Sequence, residues 1–152
     1  TNSFLYSLVM DTYSFGYSSS GFTDMPMNHK VFLAQFDAIK KLASEGPCVM
    51  VGRCADYALS EYKDCFSVFV HADTDWRINR LSQKHNKTAK EAKDMINKTD
   101  KSRSSYYNYY TNKKWGAASS YNLCVDSSKL GIDGAAKAII QAIEIFDSIK
   151  NK

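Results

Sequence analysis

The strongest chemical signal in the sequence is a short block, 98–115, that combines basic and aromatic side chains. One acidic residue, Asp100, stands there against five basic ones: Lys98, Lys101, Arg103, Lys113 and Lys114. The block therefore carries a net charge of +4, which equals the formal net charge of the whole chain. Such a local excess of cations is typical of a solvated loop or of a site for an anion.

Asp100 and Arg103 are three residues apart, so on a helix they would share one face. A mobile arm rich in cations could close over phosphate groups, exclude water and stabilise developing charge. Core packing is the favoured role for most aromatic side chains of the block, with base stacking left open: Tyr106, Tyr107, Tyr109, Tyr110 and Trp115. Interleaved aromatics and cations also suit single-stranded RNA. The confinement of the charge to one short block disfavours that alternative.

Three short apolar runs predict the strands of a sheet. The run 48–51 lies between Pro47 and Gly52 and is apolar throughout, which is typical of a central parallel strand buried on both faces. The runs 66–70 and 122–126 predict a second and a third strand. Because helices alternate with these strands, the sequence predicts an α/β fold in which helices flank a parallel sheet.

Helices are predicted at 2–10, 28–44, 55–61, 74–84, 88–97 and 131–149, with a flexible loop at 15–27. Asp73 or Thr74 is a candidate N-cap, and Asp75 would lie in the first turn of the helix that follows. Thr88 and Glu91 have the spacing of a capping box.

Ligands in an open parallel sheet bind beyond the carboxyl ends of its strands, which places the segments 52–56, 71–73 and 126–128 at the candidate site. Gly52 permits close backbone approach, and Arg53 could clamp an anion with two hydrogen bonds. Arg53 could equally pair with Asp56 in a structural turn, and both interpretations stay open. Nothing in the sequence marks the neighbouring Cys54 as a nucleophile.

Arg77 and Arg80 lie on one face of a predicted helix near the strand ends. They could reach phosphate groups or only form salt bridges, and the sequence does not decide between the two. A hydrogen-bonded structural role is favoured for His71, and a capping role is favoured for Asp73.

Four segments together resemble the cytidylate kinase-like family, the P-loop nucleoside monophosphate kinases and their relatives. They are CVMVGRCAD at 48–56, VFVHAD at 68–73 with the arginines at 77 and 80, DKSRSSYY at 100–107 and YNLCVDSSKL at 121–130. The resemblance covers about residues 30–149 in the correct order. It implies a three-layer α/β/α fold and transfer of the γ-phosphoryl of ATP, with Mg²⁺, to a nucleoside monophosphate such as CMP.

The resemblance also implies roles for individual residues. Arg53, and with it Asp56, would contact the acceptor nucleotide, although the family's acid directly follows its Gly-Arg pair. Asp100 and Arg103 would be the catalytic residues. Further phosphate or lid candidates are Lys101, Arg77 and Arg80, and no residue is implied as a metal ligand.

The chain departs from the family pattern at its phosphate loop. It contains no G-x-x-x-x-G-K-[ST] arrangement, so the family's first strand and phosphate loop would precede residue 1. We therefore expect an enzyme in the intact form and an inactive chain on its own; a binding-only relative is the alternative. The expected organisation is one domain over 1–152. A monophosphate-binding insertion would occupy 1–29, the core 30–97 and 117–152, and the lid 98–116.

Composition narrows the class of protein. The 152 residues are 44% hydrophobic and 24% charged, which is typical of a folded soluble protein. No run of about 18 apolar residues occurs, so no membrane partner is expected. The four cysteines lack C-x-x-C spacing, which favours a reduced, cytoplasmic protein. The expected partner is a small-molecule nucleotide rather than a nucleic acid, and a homo-oligomer is left open.

Overall fold

The computed structural model of the protein describes residues 27–150. The chain divides into two compact units, Thr1–Lys63 and Asp64–Lys152. The helix predicted at 2–10 and the loop predicted at 15–27 lie outside the described residues, except for Met27, which begins the first described helix.

The first unit is built from two helices, α1 (Met27–Glu45) and the short α2 (Ala55–Ala58). The spacing of apolar residues in 28–44 predicts α1 to within one residue at each end. Ile39 of α1 and Leu59 after α2 are buried, and the Phe36 ring meets the Tyr57 ring edge-on at 6.2 Å between centroids. Apolar burial between the two helices therefore stabilises this unit.

The strand predicted at 48–51 is wrong. These residues have no regular secondary structure, and Val49 and Val51 are 95% and 91% exposed. Cys48, predicted to be buried in that strand, is also exposed. A continuous apolar run becomes a central strand only where neighbouring strands satisfy its backbone and helices cover its faces. No strand within residues 27–150 pairs with this run.

The second unit contains a small parallel sheet of two strands, β1 (Val68–His71) and β2 (Leu123–Asp126). Val68 is paired with Leu123, and the register runs on to His71 opposite Asp126. Both strands lie where the apolar runs predict them, although β1 begins two residues later than expected. The sheet is flanked by helices, so the described residues form a helix-rich α/β fold with fewer strands than predicted.

Three longer helices complete the second unit: α3 (Thr74–His85), α4 (Ala89–Thr111) and α5 (Ser127–Lys150), with a 3-10 turn at Ala118–Ser120. Both predicted caps are confirmed. The Asp73 carboxylate accepts the N–H of Asp75 at 2.9 Å and that of Trp76 at 3.4 Å. Thr88 and Glu91 form the reciprocal capping box at the start of α4. α5 is interrupted at Gly131, whose φ of 69° and ψ of 174° are not helical.

The predicted end of α4 near residue 97 is wrong, because the helix continues to Thr111. No glycine or proline interrupts 89–111, and the residues buried along the helix follow helical spacing: Ala92, Ile96, Tyr107 and Thr111. The helix ends where Asn112 adopts a left-handed conformation and donates its N–H to the carbonyl of Asn108. Most of the basic aromatic block is therefore helical.

No helix within residues 27–150 combines the length and the apolar character needed to span a membrane.

Candidate functional site

Two serines tie together the carboxyl ends of β1 and β2. The Ser127 hydroxyl donates to the carbonyl of His71 at 3.0 Å, so the start of α5 is fastened to β1. The Ser128 hydroxyl donates to the Asp126 carboxylate and accepts the N–H of Asp73 at 3.0 Å. The hydroxyl bond from Ser128 lowers the pKa of Asp126, with further contributions from the Ser128 N–H and His71. These contacts hold the strand ends in register beneath the first turns of α3 and α5.

An open cleft of about 320 Å³ lies beyond these strand ends, and we call it the strand-end cleft. Its charged walls come from α3 and α4: Arg77, Arg80, Asp100 and Arg103. A smaller cleft of about 190 Å³ lies between α3 and α4 and shares Arg77, Arg80 and Arg103 with the first. The three arginines thus line both clefts.

Arg77 and Asp100 form a two-pronged salt bridge between α3 and α4. The Nη1 to Oδ2 distance is 2.7 Å, and the Nη2 to Oδ1 distance is 2.8 Å. The two side chains are 31% and 26% exposed, so the pair is partly shielded from water. The hydrogen bonds to Asp100 raise the pKa of Arg77 against an opposing effect of burial. Arg77 is therefore a permanent cation in a fixed orientation.

Arg80 and Arg103 add positive charge that Asp100 does not neutralise. The Arg80 guanidinium lies 5.5 Å from the centre of the Trp76 ring, which is the geometry of a cation–π contact. Arg103 is exposed at the cleft, one helical turn after Asp100. Neither arginine forms an ion pair with any of the residues 27–150. With three guanidinium groups against one carboxylate, the cleft favours an anion.

The predicted site residues fall into three groups. Arg77, Arg80, Asp100 and Arg103 come together at the strand-end cleft. Lys101 is exposed on α4 and lines neither cleft. Arg53 and Asp56 belong to the first unit, Arg53 in the turn before α2 and Asp56 in its first turn.

The turn that carries Arg53 has an unusual backbone. Gly52, Arg53 and Cys54 have consecutive left-handed φ values of 73°, 57° and 55°. The turn is closed by the N–H of Ala55, which donates to the carbonyl of Gly52 at 3.1 Å. A left-handed conformation is strained for residues with a Cβ, so Arg53 and Cys54 hold local strain.

Cys54 is a structural thiol at neutral pH. Only 4% of the residue is exposed, and burial, followed by the charge of Asp56, raises its pKa to about 11. A thiol with so high a pKa stays protonated and is a poor nucleophile.

The aromatic residues of the basic block largely pack within the protein, as the sequence favours. Tyr107 is 5% exposed and stacks with Tyr121, while Tyr106 and Tyr110 pack together at 4.8 Å between ring centroids. Trp115 differs from them, because it lines the strand-end cleft.

Sequence reasoning missed Trp76 and Phe69, which also line this cleft. The four-residue spacing of Trp76 and Arg80 on a predicted helix was a usable signal, because residues at that spacing are neighbours. No local pattern marks Phe69 as a cleft residue, because its partner Trp115 is distant in sequence. The two rings meet only in the folded protein, at 5.4 Å between centroids.

Whether the protein could hold Mg²⁺ depends on the carboxylates that its described residues offer. No group of three or more His, Cys, Asp or Glu side chains among residues 27–150 could hold a metal ion. Asp100, the carboxylate of the strand-end cleft, is bound to Arg77 through both of its oxygens. The described residues therefore form no metal cage of three or more such side chains; Mg²⁺ is usually held by one or two carboxylates together with the phosphate oxygens of its nucleotide.

Comparison with known proteins identifies the family. A crystal structure of an uncharacterized protein from Eubacterium ventriosum ATCC 27560 is similar at 32% sequence identity and a TM-score of 0.74. The similarity covers 78% of this chain and 74% of that one. No curated protein matches significantly. The sequence pattern of the cytidylate kinase-like family matches residues 1–129, and the chain therefore belongs to that family.

Proposed function

We propose that this protein binds a nucleoside monophosphate such as CMP and serves transfer of the ATP γ-phosphoryl to it. The observation that carries the proposal is the strand-end cleft, where three arginines surround one carboxylate in a member of the cytidylate kinase-like family. Phosphate is the anion that this geometry suits, because guanidinium groups match its oxygens with paired hydrogen bonds.

Arg77 would bind phosphate in an orientation that Asp100 sets. Two of its five N–H donors are used on Asp100, which leaves three for phosphate oxygens. Arg80 and Arg103 would supply further donors on the same cleft. Catalysis of phosphoryl transfer depends mainly on positioning and on stabilisation of charge, and fixed cations provide both.

The remaining residues have roles taken from the family resemblance. Arg53 and Asp56 would contact the acceptor nucleotide, and Lys101 would be a secondary lid cation. ATP and Mg²⁺ would supply the phosphoryl group and neutralise its charge.

Calorimetric titration of the 152-residue protein with CMP tests the binding proposal. We expect Arg80→Ala and Arg103→Ala each to weaken binding by about tenfold, since a hydrogen bond to a charged group contributes about 1.5–3 kcal/mol. Lys93→Ala is the matched control, because Lys93 is exposed on α4 and lines neither cleft. Equal affinity in all four proteins would contradict the proposal.

A phosphotransfer assay separates an enzyme from a binding-only relative. The protein, produced with any residues that are encoded before Thr1, is incubated with ATP, Mg²⁺ and CMP, and formation of CDP is followed. CDP formation that is lost in Arg103→Ala supports the transferase. Saturable CMP binding by the same protein without CDP formation would favour the binding-only relative.

A further inference from the structure

Both tryptophans of the chain, Trp76 and Trp115, line the strand-end cleft together with Phe69. The cleft that gathers the arginines therefore also has an aromatic wall. Its volume of about 320 Å³ lies in the range of clefts that hold small-molecule ligands. An aromatic wall beside an anion site suits a ligand that carries both a phosphate and a planar ring.

Trp115 is held firmly in place. Its backbone N–H donates to the Asn108 side chain at 2.8 Å, and its ring stands perpendicular to Phe69 at 5.4 Å between centroids. Phe69 packs in turn on Tyr121 at 5.0 Å. Gly116 also lies against Phe69, because a Cβ added there would approach the phenyl ring to 3.1 Å. Despite these contacts Trp115 is only partly buried and contributes to the cleft surface.

Trp76 makes a different contact in the same cleft. The Arg80 guanidinium lies over its ring, so Trp76 orients a cation. Of the two tryptophans, Trp115 is thus the one with no cation stacked on its ring among residues 27–150.

We propose that Trp115 stacks on the planar ring of the ligand whose phosphate the arginines bind, so that the cleft selects phosphates that carry an aromatic base. The inference rests on the proposed function and adds a specificity-determining residue to it. Stacking on an aromatic side chain tolerates any base, because every base offers a π-face. The expected discrimination is between nucleotides and phosphates that lack a ring system, and not between one base and another.

Titrations with CMP and with ribose 5-phosphate test the proposal, since the second ligand keeps the phosphate and the sugar but lacks the base. In Trp115→Leu we expect about tenfold weaker CMP binding and unchanged ribose 5-phosphate binding. Trp115→Phe keeps an aromatic face and should retain most of the CMP affinity. Tyr109→Leu is the control, because Tyr109 is 65% exposed on α4 and lines neither cleft.

Tryptophan fluorescence gives a second measurement that needs no change at Trp115. In Trp76→Phe, Trp115 is the sole tryptophan, and we expect CMP to quench its emission while ribose 5-phosphate does not. This experiment decides the question if Trp115→Leu fails to fold.

The outcomes separate the two proposals. If Trp115→Leu binds CMP as the wild type does, or loses both ligands equally, the stacking role is overturned. Phosphate binding by the arginines of the strand-end cleft is not affected by that result. Unchanged Trp115 emission at saturating CMP would also overturn the stacking role. If the wild type binds neither ligand, the proposed function fails and the stacking role fails with it.

Discussion

The two units of the protein present their arginines in opposite ways. In the second unit, Arg77 and Arg80 project from a regular helix, and their orientation comes from contacts with Asp100 and Trp76. In the first unit, Arg53 lies in a turn of three consecutive left-handed residues, so the local backbone conformation determines its position. Arg77 thus depends on a tertiary contact with Asp100, Arg80 on a contact within its own helix, and Arg53 on a local backbone conformation. Substitutions should therefore affect the two units in different ways.

The largest effect on CMP affinity is expected for Arg77→Ala, because it removes a phosphate ligand and leaves Asp100 without its partner. CMP affinity should fall by at least about tenfold, and the free energy of unfolding should fall by about 1 kcal/mol. That stability loss is at the low end for a broken pair because both side chains keep contact with water. Calorimetric titration and urea unfolding measure the two quantities.

The Asp100→Ala variant shows whether the salt bridge itself is responsible for that loss of stability. It should lower the free energy of unfolding by about as much as Arg77→Ala does. The double variant should lower it by no more than either single variant. Asp94→Ala, an exposed site on the same helix, is the control. Additive losses in the double variant would show that the two side chains stabilise the protein independently.

Gly116→Ala is expected to lower the free energy of unfolding by about 1–2 kcal/mol. Its φ of 76° is strained for alanine, and the new Cβ would press on Phe69. Chemical unfolding measures the loss in a double-mutant cycle, in which Gly116→Ala should lower the free energy of unfolding less in a Phe69→Leu background than in the wild type. An equal loss in both backgrounds would assign the whole effect to the backbone.

Arg53→Gly should act in the opposite direction on stability. Relief of left-handed strain, about 1–2 kcal/mol, exceeds the entropy cost of glycine, about 0.5–1 kcal/mol, so the free energy of unfolding should rise by about 0.5–1 kcal/mol. CMP affinity should fall at the same time. Arg53→Lys keeps the strain and the charge, so it should leave stability unchanged. A loss of stability in Arg53→Gly would contradict the strained turn.

The smallest effect on stability is expected from the capping box of α4, and it depends on pH. Hydrogen bonds from the Thr88 N–H and hydroxyl lower the pKa of Glu91 in the folded protein. The stabilisation that Glu91 provides is therefore fully present above its unfolded pKa and is lost as the pH falls through the lower folded pKa. Thermal unfolding between pH 3 and pH 7 should show a smaller acid-dependent decrease in Glu91→Gln than in the wild type. Identical decreases would exclude this carboxylate as a source of the pH dependence.

Local signals in the sequence predict much of the second unit. The caps at Asp73 and Thr88 are satisfied by residues two or three positions away, so their spacing alone identifies them. The strand predicted at 48–51 fails because a buried strand depends on partners distant in sequence. The predicted end of α4 fails because burial of Tyr107 and Thr111 extends the helix through a polar stretch.

In the candidate site, too, the sequence predicts what local patterns determine and misses what depends on residues distant in sequence. The residue types and spacing single out Arg77, Arg80, Asp100 and Arg103 as candidates for phosphate binding. Their assembly into one cleft depends on the packing of α3 against α4, which no local pattern reports. The aromatic wall escapes prediction for the same reason, since Phe69 and Trp115 meet only in the folded protein.

A crystal structure of the protein with CMP bound would show where the phosphate binds. We expect the phosphate of CMP to lie in the strand-end cleft, with its oxygens about 3 Å from guanidinium nitrogens of Arg77, Arg80 or Arg103. A phosphate bound outside this cleft, beside Lys113 and Lys114 for example, with all three arginines unengaged, would contradict this expectation.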